Sequence, residues 1–301
     1  MNFRRQLLLV STTCMFVVGC SVSPLTKRAV TFSTAATAAA TDTANAYQMV
    51  EDTYYQAQVA SLVVSFDENG FDPNSIKAFM PEKDMEARTE VIEGLHEYAE
   101  LLAEVSGDAP VTALNTQTQA LGTALQNFST DNLKSWAPPA ADVNLAVTAL
   151  NGLGRILIER KRSRALPGIL DQMKKPIEDI CALLQEDIGD PRKSGLRNQL
   201  KNSYAELIRK QQQYIHKNEA SMSAADKRAE IEKLPKLAAS QAQGDRVLAK
   251  TQRELADMAK AHTALAETAH QKESPTFRVL VAQLARDGEQ LNDVYRSLPT
   301  K

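Results

Sequence analysis

The chain has 301 residues, 35 Lys and Arg against 37 Asp and Glu, and a formal net charge of −2. Near-neutral charge and three cysteines exclude a uniformly basic nucleic-acid binder and a small disulfide-built scaffold. Aromatic residues make up only 5 %, Gly and Pro number twelve each, and Ala, Leu, Gln, Glu and Lys are abundant, which favours helix over sheet.

At the amino terminus, Arg4 and Arg5 precede an apolar run from Leu7 to Val18, then Gly19 and Cys20. This is the three-part secretory pattern, and the run is shorter than the roughly 20 apolar residues a membrane span needs. The segment Val17-Val18-Gly19-Cys20 resembles the lipobox of bacterial lipoproteins: an aliphatic residue, two small or aliphatic residues, then cysteine. The resemblance covers only the first twenty or so residues. It implies that residues 1–19 are a signal peptide cut before Cys20. It further implies that the Cys20 thiol receives diacylglycerol, that the new amino group is acylated by a palmitate-type chain, and that this lipid holds the protein to an envelope membrane. Acyl chains contribute about 0.8 kcal/mol per buried methylene, so two or three of them make release slow. Ser21, where an aspartate would retain such a protein, implies the outer membrane and its periplasmic face if the host is Gram-negative. Residues 20–28 are expected to form a tether, with Pro24 discouraging helix at its start.

Beyond the tether, apolar residues recur at spacings of three and four nearly throughout, which predicts amphipathic helices packed side by side. The first runs from about Ala29 to Phe66, with Tyr47, Val50, Tyr54, Ala57 and Val64 on one stripe. Asn69-Gly70 and Asp72-Pro73 end it. A second helix carries Met85, Ile92, Leu95, Tyr98, Leu102 and Val105. A third, carrying Val111, Leu114, Thr118, Leu121, Leu125 and Phe128, has no charge between Asp108 and Asp131. A fourth holds Val143, Val147, Leu150, Gly154 and Leu157, where Gly152 and Gly154 either permit close helix approach or weaken the helix.

A fifth helix carries Leu166, Ile169, Met173, Ile177, Ile180 and Leu184. Pro167 suits its first turn, and Pro176 predicts a kink. The sixth bears Leu196, Leu200, Tyr204 and Leu207. An internal boundary falls at Asn218 to Ser223, where Ser223 and Asp226 make a capping-box-like start. A very long helix follows to about His270, and a last one from Pro275 carries Phe277, Leu280, Leu284, Leu291, Val294 and Leu298. The expected fold is all-α, an elongated antiparallel helical bundle. It divides into a main bundle, 29–218, and long C-terminal helices, 219–301, packed on that bundle or forming a second lobe.

Charge is unevenly spread. Asp42 to Asp131 holds 16 acidic and 3 basic residues, and Arg155 to Lys217 holds 14 basic and 8 acidic. The run Arg160-Lys161-Arg162-Ser163-Arg164 lacks interleaved stacking aromatics, so nucleic acid is not an expected partner. Acidic helices against basic helices within one fold is the simpler expectation. With Cys14 removed and Cys20 acylated, Cys181 is the one remaining thiol, beside the apolar stripe of Ile180 and Leu184, where a buried hydrophobic role is expected.

The one pattern suggestive of a metal is a pair of Glu-x-x-His units, Glu93 with His96 and Glu267 with His270. Residues three apart share a helix face, and ferritin-like di-metal bundles use two such units plus two further glutamates. The resemblance ends at these four residues, which sit at the edges of their stripes. No nucleophile elbow, phosphate loop, His-Glu-x-x-His or Cys-x-x-Cys occurs. The expected function is therefore non-enzymatic, without a cofactor: a cell-envelope lipoprotein serving as a helical interaction or structural module, binding an envelope protein or itself. The alternatives are a metal-binding bundle using the Glu-x-x-His units, and a membrane-remodelling or pore-type protein using the uncharged third helix and Gly152 to Gly154.

Overall fold

A computed structural model describes residues 23–107, 116–128, 143–159, 166–270 and 275–297. They form eight α-helices and one 3-10 turn, Pro73–Ser75, with no strand among the described residues. The helices are α1 Pro24–Asn69, α2 Glu82–Ser106, α3 Thr116–Gln126, α4 Val143–Ile158, α5 Leu166–Ile188, α6 Leu196–Asn218, α7 Ala224–Thr268 and α8 Pro275–Ser297. The fold is an all-α bundle.

Helix α1 begins at Pro24 rather than Ala29, so the carboxy-terminal part of the expected tether is helical. Ser23 caps it, its hydroxyl accepting from the Thr26 backbone N–H at 3.1 Å, and Pro24 occupies the first turn. The missing N–H of proline costs nothing there, because the first turn has no intrahelical acceptor for it. With 46 residues α1 is about 69 Å long at 1.5 Å per residue. It is the spine of the bundle, packing against α2, α6, α7 and α8.

Cross-links fix the helix directions. Ser33 Oγ donates to the Ala99 carbonyl at 2.6 Å, setting the start of α1 beside the end of α2. Lys217 Nζ donates to the Val64 carbonyl, setting the end of α6 beside the end of α1, so these two helices run parallel. Tyr295 donates to the Asp42 carbonyl, and Thr31 and Val281 share a groove wall, so α8 also runs parallel to α1. Helix α7 runs against all three. The core is one contiguous cluster to which α7 and α8 contribute Leu248, Leu255, Met258, Leu265, Phe277, Val281 and Leu284. The C-terminal helices are thus packed on the bundle.

Several local expectations meet their structure. Ser223 caps α7, accepting from the Asp226 backbone N–H at 3.1 Å while its own hydroxyl donates to the Asp226 carboxylate. Pro176 lies inside α5, which continues through it as one helix from Leu166 to Ile188. Gly154 is the close-approach glycine: a Cβ there would lie 2.4 Å from the Gly122 carbonyl oxygen of α3 and 2.5 Å from the Gln126 nitrogen. Gly152 makes no such approach, its nearest neighbour being Pro176 Cγ at 3.8 Å. Among the described residues no helix is long and apolar enough to cross a membrane. The uncharged segment is described only as α3, which packs on α4 and α2.

Candidate functional site

The expected lipidation site, Cys20, and the basic run 160–164 lie outside the described residues. The two Glu-x-x-His units go to different neighbours. Glu93 is exposed on α2, and His96 lies 3.9 Å from Glu100 on the same helix. Glu267 meets Lys174 of α5 at 3.1 Å, and His270 Nε2 meets Asp171 of α5 at 2.9 Å. No group of three or more His, Cys, Asp or Glu that could hold a metal ion occurs among the described residues.

Three buried polar constellations, none of them read from the sequence, join the helices instead. In the first, Arg88 of α2 grips Asp187 of α5 through Nε and Nη2, both at 2.8 Å, and Nη1 donates to the Asp84 carbonyl at 2.9 Å. The Tyr47 hydroxyl of α1 donates to the same carboxylate at 2.5 Å. Burial, then the Asp187 charge, pushes the Tyr47 hydroxyl well above its ordinary value. The charges offset each other and the donors are aimed, so this is a three-helix pin.

The second joins Tyr98 of α2 to His262 of α7, hydroxyl to Nε2 at 2.7 Å, with Phe32 of α1 packed edge-on against the imidazole. Burial pushes His262 down to about 3, so the ring is neutral at physiological pH. Its Nδ1 is buried without a hydrogen-bond partner. Cys181 is fully buried, and burial pushes its thiol up to about 12, the state of an unreactive core residue.

The third borders open space. A groove of about 720 Å³ runs between the parallel helices α1 and α8, with small walls at Ala35, Ala38, Ala285 and Gly288. A second recess of about 400 Å³ shares Thr31, Val281 and Ala285 with it and continues it to the start of both helices, where Lys27, Arg28 and Arg278 gather. At the other end lies Asp42, 8 % exposed, and behind Gly288 stands Glu254 of α7, 0 % exposed. A Cβ on Gly288 would sit 3.1 Å from Glu254 Oε1 and 3.7 Å from Asp42 Oδ2. The two carboxyls therefore face the one space that the absent side chain leaves.

Neither Glu254 oxygen has a hydrogen-bond partner. Burial, followed by the charges of Asp42 and Asp287, pushes Glu254 up to about 9, and burial alone lifts Asp42 to about 6. Glu254 thus carries its proton at neutral pH, and of the two carboxyls Asp42 ionises first. The sequence held a signal for this. Glu254 lies in the inward stripe of Val247, Thr251, Leu255 and Met258, an acid at an apolar position.

Comparison with known proteins gives no matching family model, no matching curated protein and no matching solved structure.

Proposed function

We propose that the chain is a lipid-anchored protein of the cell envelope that acts without catalysis, as a helical interaction module, and that the α1–α8 groove is its working surface. The observation that carries the reading is the position of that groove. It opens beside Pro24, four positions after Cys20. Four extended residues reach about 14 Å, so a lipid on Cys20 would hold the mouth of the groove at the membrane. If the host is Gram-negative, Ser21 supports the outer membrane as that membrane, with the protein on its periplasmic face.

Further support comes from the chemistry of the buried groups. His262 and Cys181 are enclosed in the core, and Arg88 is spent on Asp187 and the Asp84 carbonyl. The walls of the groove include Ala35, Ala38, Ala285 and Gly288 from two parallel helices, small residues that let a bound chain approach both backbones there.

The test is site-specific photo-crosslinking in cells. A crosslinking side chain at Thr34 or Asn292, both exposed within the groove, is expected to give a discrete adduct. The same group at exposed Lys201 on α6 is expected to give none. Equal adducts at all three positions would remove the groove from the account.

A further inference from the structure

We infer that α1 pairs with α1 of a second copy, parallel and in register, through an outward seam of Tyr55, Val59, Leu62 and Phe66. The contact is read from α1 itself and lies beyond the α1–α8 groove. Only its parallel direction rests on the amino-terminal tether proposed above.

The last turns of α1 are apolar on two sides. On the inner side Tyr54 meets Phe79 and Ala57 is buried. On the outer side Tyr55, Val59, Leu62 and Phe66 follow one another at spacings of four, three and four residues, which puts them on one face. Tyr55 is 54 % exposed, Phe66 57 % and Val63 beside them 55 %. The same heptad positions nearer the start of the helix hold Thr34, Ala38, Thr41, Asn45 and Gln48. One face of one helix therefore changes from small and polar to large and apolar. An exposed apolar patch of that kind marks a contact surface.

Three features select a second copy as the occupant. First, the four-three-four spacing is that of a two-stranded coiled coil, so the seam complements itself. Second, the positions that flank it in a parallel pair are Gln56, Gln58, Val63 and Ser65, all uncharged. A second copy meets no repulsion there, and a charged partner helix finds nothing to select it. The nearby acids turn elsewhere: Asp67 and Glu68 meet Lys217, and Asp52 accepts from Gln48 at 3.1 Å. Asp52 also sets the layer at which like charges end the seam. A recess of about 410 Å³ opens beside the seam, with Tyr55, Val59 and Val63 as one wall. The lysines of its far wall are matched within the protomer, Lys233 to Glu230 at 2.6 Å and Lys210 to Glu206 at 3.8 Å. Third, a tether at the start of α1 stands all copies in one membrane the same way up. Identical stripes then come to the same height, which makes the pair parallel.

The seam is about 18 Å long at 1.5 Å per residue, far short of the roughly 800 Å² per partner of a standard interface. The dimer is therefore weak in solution and fills when a shared membrane concentrates the copies.

The experiment places Leu62→Cys in the full chain and oxidises isolated membranes with copper phenanthroline. Facing Leu62 positions bring two thiols within disulfide range, so a disulfide dimer is expected there and for Tyr55→Cys. None is expected for Lys201→Cys on exposed α6 or for the unsubstituted chain, whose Cys181 is buried. Adding Phe66→Glu or Val63→Glu, at side chains more than half exposed, should leave the circular dichroism unchanged and cut the dimer at least fivefold. Sedimentation equilibrium of the purified protein needs no membrane and should show a concentration-dependent dimer that Phe66→Glu weakens at least tenfold. Absence of the dimer in both measurements, or a dimer that neither glutamate variant diminishes, overturns the inference. A sedimentation dimer without the Leu62→Cys disulfide, or a disulfide formed only between Tyr55→Cys and Phe66→Cys chains, overturns the parallel register. A Leu62→Cys adduct of another mass gives the seam to a different polypeptide and overturns it too. Loss of the dimer with the groove crosslinks at Thr34 and Asn292 intact would sink this inference and leave the groove standing.

Discussion

Glu254 and His262 sit eight residues apart on α7 and titrate in opposite senses. The Glu254 carboxyl is raised from 4.5 to about 9, so folding is favoured by its proton. That contribution is full below its ordinary value and is lost as pH climbs toward about 9. His262 is lowered from 6.5 to about 3, so the fold loses stability as pH falls from about 6.5 toward 3, where the unfolded chain takes up the proton more readily. The melting temperature is therefore expected to fall from pH 7 to pH 9, and the alkaline fall should flatten in Glu254→Gln. An unchanged alkaline limb in that variant would show that Glu254 is not the group responsible.

The Arg88–Asp187 pin makes a second prediction at the same scale. Replacing Arg88 by Met leaves Asp187 buried with Tyr47 as its one donor among the described residues, and such a loss costs about 3–5 kcal/mol. Denaturant unfolding should show it, and a cost below 1 kcal/mol would mean that water replaces the guanidinium. Neither the pin nor the acid pair was read from the sequence, although each left a trace there. Arg88 falls in step with Ala87, Val91 and Leu95, and Glu254 with Val247, Leu255 and Met258. Periodicity marks such residues as inward, but it cannot say that a helix 99 positions away brings the partner. The Glu-x-x-His units are legible as spacing, but spacing along two helices does not fix which neighbours their edges meet.

Among the elements, α3 and α4 add close backbone contact to their buried side chains. Gly154 lies against Gly122, and the Asn151 amide nitrogen, turned inward, places its two N–H donors within 2.7–3.2 Å of the Leu125, Gln126 and Phe128 carbonyls at the end of α3. Gly154→Ala would press a methyl into backbone atoms at 2.4 and 2.5 Å, and overpacking of this kind costs about 1–3 kcal/mol. Gly168→Ala, where a Cβ meets nothing within 4 Å, is the control and should stabilise by a few tenths to about 1 kcal/mol. Equal effects of the two in thermal unfolding would contradict the close α3–α4 packing. Most helix positions are legible in the sequence because the three-four spacing runs nearly throughout it. Helix α1 starts earlier than the sequence predicts for a local reason: Pro24 points to a non-helical tether, yet after the Ser23 cap it stands in the first turn, where proline is accommodated.

At the scale of the whole molecule, the two charge blocks are less closely matched than their counts suggest. Lys217 links them, 3.2 Å from Asp67 and 3.7 Å from Glu68. Arg197 turns to Asp245 and Lys174 to Glu267, both on α7. The contact with the deepest burial reverses the pattern, with the acid supplied by the basic block and the base by the acidic one. Exposed pairs contribute about 0–1 kcal/mol each and are screened by salt. Raising salt should therefore lower the melting temperature by only a few degrees without changing the sedimentation coefficient. Salt-dependent dissociation of a defined oligomer would move these charges to an interface between copies.

The groove serves at a membrane only if the amino terminus carries the lipid. Mass spectrometry of the amino-terminal peptide of the protein isolated from its own membranes tests this most directly. The predicted result is a chain that begins at Cys20 and carries a diacylglycerol thioether, with Cys20→Ala neither cleaved at that position nor retained with the membrane as a processed form. An unmodified Cys20 in the mature protein, or a processed Cys20→Ala product that still requires detergent, would contradict it.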